Sequence, residues 1–224
     1  KEAHIYRVAG LGIKTPDESK MVNARFKETA PPSKIERAFW GLAKLVNDLI
    51  FPYDKQIGWM PFAYFVACKV IKQQQIRNVY ITAFPYSAFL VGIALKKKFG
   101  QKIFWVADYR DSWQFGPLKE KLVLPFRLNK IRKKDDKILA TCDAAVFVTP
   151  ETRLQYINKH SWLQEKSYYI SNGYDEDDFK GIVPKKFDKP TLVLMGKLTK
   201  VYGSPLNLLK ALEDCLPHNY QVIH

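Results

Sequence analysis

The sequence predicts an α/β protein built on a parallel β-sheet, and three observations carry that prediction. From residue 79 onward, short apolar runs alternate with segments of helical period. The runs are apolar on both faces, the pattern of strands covered on both sides by their crossover helices. Polar residues gather where each run ends, the edge at which parallel sheets form their ligand crevice.

The elements follow in order. His4–Val8 reads as a strand, and Pro31-Pro32-Ser33 as a break whose Ser33 caps the next helix. From Lys34 to Phe51, Ile35, Phe39, Leu42, Leu45, Val46, Leu49 and Ile50 fall at helical spacing, and Pro52 ends the run. A second helix is expected from Pro61 to about Gln75, the proline suiting a first turn. Val79–Phe84 is the next strand, and Ser87–Phe99 a helix with Ser87 as cap, Gly100 as stop and Lys96-Lys97-Lys98 at its negative end. Ile103–Ala107 is a strand, followed by a basic helical region. Ala144–Thr149 is a strand, Glu151–Lys159 a helix, and Tyr168–Ser171 a strand. Gly181–Pro190 has two prolines and little periodicity and reads as a linker. Thr191–Met195 then opens a strand, Gly196 a turn and Pro205–Leu212 a helix. The expected domains are therefore 1–185 and 186–224, the second only begun. The chain opens without Met and is expected to be a piece of something longer.

Composition narrows the function. The 224 residues carry 36 Lys and Arg against 22 Asp and Glu, a net charge of +14, which favours an anionic partner. Residues 96–137 hold thirteen of the basic residues against five acids. There, Arg127, Lys130, Arg132, Lys133 and Lys134 neighbour Leu122, Val123, Leu124, Phe126, Leu128 and Ile131. That surface suits anionic lipid headgroups, and its plainer reading is a solvated helix face. Cys68, Cys142 and Cys215 are odd in number and lack CxxC spacing, so neither a disulfide framework nor a zinc site is expected, and a reducing compartment fits. No run reaches about 18 uncharged apolar residues, and the first ten residues do not read as a signal peptide.

Four segments lie at strand ends: 82–87, 108–113, 149–150 and 172–175. In Asp108-Tyr-Arg-Asp-Ser-Trp113, two carboxylates bracket Arg110 directly after a buried strand. Either Arg110 faces phosphate or sugar oxygens, oriented by its acidic neighbours, or Asp108 or Asp111 simply pairs with it and caps the following helix. Thr82–Ser87 offers helix-start N–H groups and the Ser87 hydroxyl, without the glycines of a dinucleotide or nucleoside-triphosphate loop. Asn172-Gly173 reads as a turn with positive φ. Asp175–Asp178 has a D-x-D spacing but no His nearby in sequence, and reads as a solvated helix start rather than a metal site. The four histidines are scattered, and no G-x-S-x-G occurs.

The segments Gln56–Ala63, Ile81–Ala88 with Leu90-Val-Gly92 and Leu95–Lys98, Trp105–Trp113, Cys142-Asp-Ala144 and Ile170–Phe179, in this order, resemble bacterial family 4-type glycosyltransferases. The resemblance covers residues 56–196. It implies two Rossmann-like domains facing across a cleft (the GT-B architecture), with the acceptor on the first domain and the nucleotide-sugar on the second. It implies transfer, retaining in outcome, of a sugar from a nucleotide-sugar to a glycan or lipid-linked acceptor in surface polysaccharide assembly, with no cofactor and no metal. By this resemblance Asp108, Arg110 and Asp111 are the candidate catalytic residues. Thr82, Tyr86, Ser87 and Trp113 would bind acceptor, and Asn172, Gly173, Gly196, Lys197 and Lys200 would bind donor. Tyr202 stands where many relatives have a lysine in the donor loop, and Lys197 or Lys200 would replace that charge. The implied location is cytoplasmic, peripheral at the inner face of the plasma membrane. The rival reading is a basic nucleic-acid-binding or non-catalytic α/β binding module. No nucleic-acid partner is expected, because basic residues do not interleave with aromatics as a base-stacking platform needs.

Overall fold

The computed structural model describes residues 4–8, 54, 56–115, 124–184, 186–195, 208, 210–213 and 220–223. The expected helix at 34–51 and its Ser33 cap lie outside them, as do Gly196, Lys197 and Lys200. The chain divides into two compact units, Lys1–Asn172 and Gly173–His224.

The first unit contains α1 (Met60–Gln73), β1 (Asn78–Ala83), α2 (Ser87–Phe99), β2 (Phe104–Tyr109), α3 (Pro125–Thr141), β3 (Ala144–Phe147), α4 (Pro150–Lys159) and β4 (Ser167–Tyr169). All four strands are parallel, in the order β1-β2-β3-β4, with Thr82, Asp108, Val146 and Tyr168 in one cross-strand row. The architecture is α/β with a parallel sheet, consistent with a Rossmann-like fold. Pro61 sits in the first turn of α1, where its missing N–H costs nothing. Gly100 ends α2 at φ 55°, a backbone most side chains avoid. His4–Val8 is a correction: it is irregular and mostly exposed, and joins no strand.

The strict neighbour-to-neighbour strand order fixes where the core lies. Right-handed crossovers that always step in one direction place their helices on one face. Phe89 of α2, Ile131 and Ile138 of α3, and Tyr156 of α4 share one buried cluster with Trp105, Ala107, Tyr109, Ala145 and Phe147, alternate residues of one sheet face. On the other face, Tyr80, Phe104 and Tyr168 are exposed. The coverage of both faces expected from the apolar strands is thus not met among the described residues. A second cluster seats Ala63, Cys68 and Ile71 of α1 against Val91 and Leu95 of α2. The close seating of α2 on the sheet depends on Gly92, whose missing Cβ would lie 2.2 Å from Cζ2 of Trp105.

Lys96 does more than complement a helix end. Its Nζ donates to the carbonyl of Ile103 at 2.8 Å and to Asp143 Oδ1 at 2.7 Å, while Asp143 Oδ2 accepts the Trp105 N–H. One half-buried ion pair thereby joins α2, β2 and the start of β3.

In the second unit, β5 (Thr191–Val193) pairs in parallel with β6 (Gln221–Ile223). Leu208 and 210–213 are helical, giving a strand–helix–strand order. The second strand lies in an apolar run that the sequence leaves unassigned. Residues 181–184 and 186–190 have no helix or strand.

Candidate functional site

Parallel strands send their carboxyl ends to one edge, so Thr82, Asp108 and Asn172, far apart in sequence, meet there. Asp108 is 2% exposed. Its Oδ2 accepts the Thr82 hydroxyl at 2.7 Å and the Nε–H of Arg110 at 3.2 Å. Arg110 also donates from Nη1 to Oδ1 of Asn172. Its side chain remains 49% exposed. A guanidinium has five N–H donors in a fixed fork, and two of them are used in holding it. The remainder belong to a cation oriented from two sides and open to solvent. Burial, followed by the Asp108 carboxylate, raises the phenol of Tyr80, the residue two before Thr82 on the same strand.

The pairing of the Asp108–Trp113 segment is therefore met through Asp108. Arg110 pairs with Asp108, while Asp111 is exposed and offers its carbonyl, with that of Ser112, to the Tyr86 hydroxyl at 3.1 Å each. Tyr86 stacks on Trp113 at 4.9 Å and 6°, and meets the exposed Phe84 edge-on at 6.0 Å. Burial, with Asp111 and Asp135, pushes the Tyr86 phenol up. An aromatic series thus runs from Phe84 at the surface to Trp113, which is 2% exposed.

Ser87 and Trp113 differ from their expected roles as open contacts. Ser87 is fully buried; its Oγ accepts the Trp59 indole N–H at 3.3 Å, and it is not the helix cap. The Asp54 carboxylate does that work, taking the Ser87 N–H at 2.5 Å and the Gln56 N–H at 3.0 Å. Trp113 has one ring face against Tyr86 and is enclosed. Both residues shape the site from behind.

Gly173 is not in the left-handed region, and a Cβ there would meet open space, so the expected positive-φ turn is absent. Thr149 caps α4 by accepting the Thr152 N–H at 3.1 Å. Asp175 caps the short turn Glu176–Phe179, as a solvated helix start should. Among the described residues, no three His, Cys, Asp or Glu side chains gather as a metal site would need, and no helix is long and apolar enough to cross a membrane.

Two features escape a reading by segments. Asp54 lies 33 residues from its partner, and no local signal marks it. Asp135 is buried within α3 and accepts the hydroxyls of Tyr109 at 2.6 Å and Tyr156 at 2.7 Å. A signal for it exists: Asp135 falls on the apolar stripe Leu128, Ile131, Ile138, Leu139. On the same helix Lys130, Lys133, Lys134 and Lys137, at spacings of three and four, line one shallow groove. Neither any protein-family model nor any curated protein matches the chain.

Proposed function

We propose that this chain belongs to a retaining glycosyltransferase of the GT-B type, which moves a sugar from a nucleotide-sugar to a glycan or lipid-linked acceptor in surface polysaccharide assembly. The observation that carries the reading is Arg110, held by Asp108 and Asn172 at the carboxyl edge of a parallel sheet. Transfer develops negative charge on the departing diphosphate and positive charge on the sugar. A cation fixed before the reaction stabilises the former without reorganising. In this reading Arg110 meets phosphate or sugar oxygens, and Asp108 is a positioning residue, because its buried carboxylate is occupied by Thr82 and Arg110. Asp111, exposed, orients an acceptor hydroxyl. Tyr86 and the rim Phe84 form the acceptor wall. The donor-binding roles of Asn172, Gly173, Gly196, Lys197 and Lys200 in this scheme rest on the sequence resemblance alone. Neither a metal nor a cofactor has a role in this scheme.

The lysine groove of α3 supports a peripheral location on the cytoplasmic side, against anionic lipid, where a lipid-linked acceptor would be met. The test is release of nucleoside diphosphate by the full-length protein from a panel of nucleotide-sugars, with glycan and lipid-linked acceptors. Arg110→Ala should lower turnover by about ten- to a thousandfold, on the order of 1.4–4 kcal/mol of barrier, with the thermal transition kept. No release from any donor, or a collapsed fold in Arg110→Ala without a separate kinetic effect, rejects the proposal for Arg110.

A further inference from the structure

Beneath the loop that follows β2, a set of hydrogen bonds runs in one direction and ends on one carboxylate. The Phe115 N–H donates to Ser112 Oγ at 2.9 Å. The Ser112 hydroxyl and the Trp113 N–H both donate to the Tyr156 hydroxyl oxygen at 3.2 Å. Tyr156 donates to Asp135 Oδ2 at 2.7 Å, and Tyr109 donates to Oδ1 at 2.6 Å. Tyr109, Asp135 and Tyr156 are each fully buried. The Lys159 ammonium is engaged with Asp136 and Gln114.

We propose that Asp135 is a positioning residue for the candidate site: its ionised carboxylate, acting through Tyr156, fixes the Ser112–Phe115 turn and with it the Trp113 ring on which Tyr86 stacks. The phenol oxygen of Tyr156 accepts from Ser112 and Trp113, so its single hydrogen must go outward to Asp135. An ionised carboxylate accepts from both tyrosines at once. A protonated one brings a hydrogen of its own into the same space. Then either a tyrosine O–H gives up its bond to the carboxyl or the Ser112 and Trp113 bonds to Tyr156 loosen, and either change shifts the turn.

The groups that face Asp135 act in opposite senses. Burial raises its carboxyl to about 6, against the lowering by hydrogen bonds from Tyr109, Tyr156 and Gln114, and Asp136 on the same helix raises it further. Tyr86 and Cys142 also feel its charge, while Lys159 and His160 are spent on Asp136. The turn is therefore tied to a proton that moves close to neutral pH. Nothing in the inference requires that the site transfer sugar.

The experiment follows the Asp135 side-chain carboxyl carbon and the backbone amides of Trp113 and Phe115 by nuclear magnetic resonance, from about pH 4.5 to about pH 8. The expected result is one shared midpoint near 6. In Asp135→Asn, the two amides should lose that titration and sit near their low-pH positions. In Tyr156→Phe, Asp135 should still titrate while Trp113 no longer follows it. Amides of Trp113 and Phe115 that stay fixed over the whole range overturn the proposal. So does a titration that persists in Asp135→Asn or, should that variant fail to fold, one that Trp113 still follows in Tyr156→Phe.

Discussion

Replacing Gly92 by Ala sets two effects against each other, and the structure says which one wins. Alanine in a helix interior is favoured over glycine by about 1 kcal/mol, so on propensity alone the substitution stabilises. The new methyl, however, would lie 2.2, 2.3 and 2.7 Å from Cζ2, Cε2 and Cη2 of Trp105, where ordinary contact begins at 3.4 Å. The indole cannot yield easily, being fully buried among Phe89, Ala107 and Ala145. Overpacking of this kind costs about 1–3 kcal/mol, and an overlap of more than an ångström on two ring atoms, with a third also inside contact distance, belongs at the upper end. The net expectation is a loss of about 2 kcal/mol, or a fall in Tm of roughly 4–8 °C for a chain of this size. Thermal unfolding followed by circular dichroism reads it directly. Trp105→Phe in the same chain removes the offending ring edge, and also an indole N–H that is buried without a partner. The double variant should therefore be more stable than the sum of the single changes, by about 1–3 kcal/mol of coupling. A Tm of Gly92→Ala equal to or above that of the parent would mean that α2 moves off the sheet without cost, contrary to the contact with Trp105.

Further outcomes follow from the same structure. Asp54→Ala removes the acceptor of the Ser87 and Gln56 N–H groups and should cost about 2 kcal/mol, with amide exchange accelerating at Ser87 before the rest of α2. The Asp135 carboxyl is raised in the fold, so its contribution to stability is full below the ordinary aspartate range and lost as pH rises to about 6. Denaturant titrations should accordingly show the parent losing up to about 3 kcal/mol relative to Asp135→Asn between acid and neutral pH; equal pH dependence in both would contradict the assigned burial. With vesicles, the full-length protein should co-sediment with anionic lipid and little with neutral lipid, the binding weakening as salt rises. Replacing Lys130, Lys133 and Lys137 together by Ser should abolish most of it at unchanged Tm, and equal binding to neutral vesicles would leave these lysines a solvated face.

The alternation of strands and helices from Val79 to Tyr169 is legible in the sequence because it depends on local periodicity. Each run of β-branched and aromatic residues and each helix-length segment is a local preference, so Ser87–Phe99 appears at its expected bounds and the strands within a few residues of theirs. The Asp108-Tyr-Arg-Asp-Ser-Trp segment stands out for the same reason, its charges following directly on an apolar run. The sequential strand order was decided only by the tertiary structure. Order depends on which edges pair, a non-local choice, and it placed the helices on one face and left Tyr80, Phe104 and Tyr168 exposed. The partners of the polar groups were decided there as well. Ser87 has a good capping side chain, yet a carboxylate 33 residues earlier reaches its N–H first and the hydroxyl turns inward. Asp135 reads as one of two adjacent acids in a basic helix until β2 and α4 bring two tyrosine hydroxyls onto it. Residue type sets how many hydrogen bonds a group can make; only chain packing sets which group makes them and whether water competes.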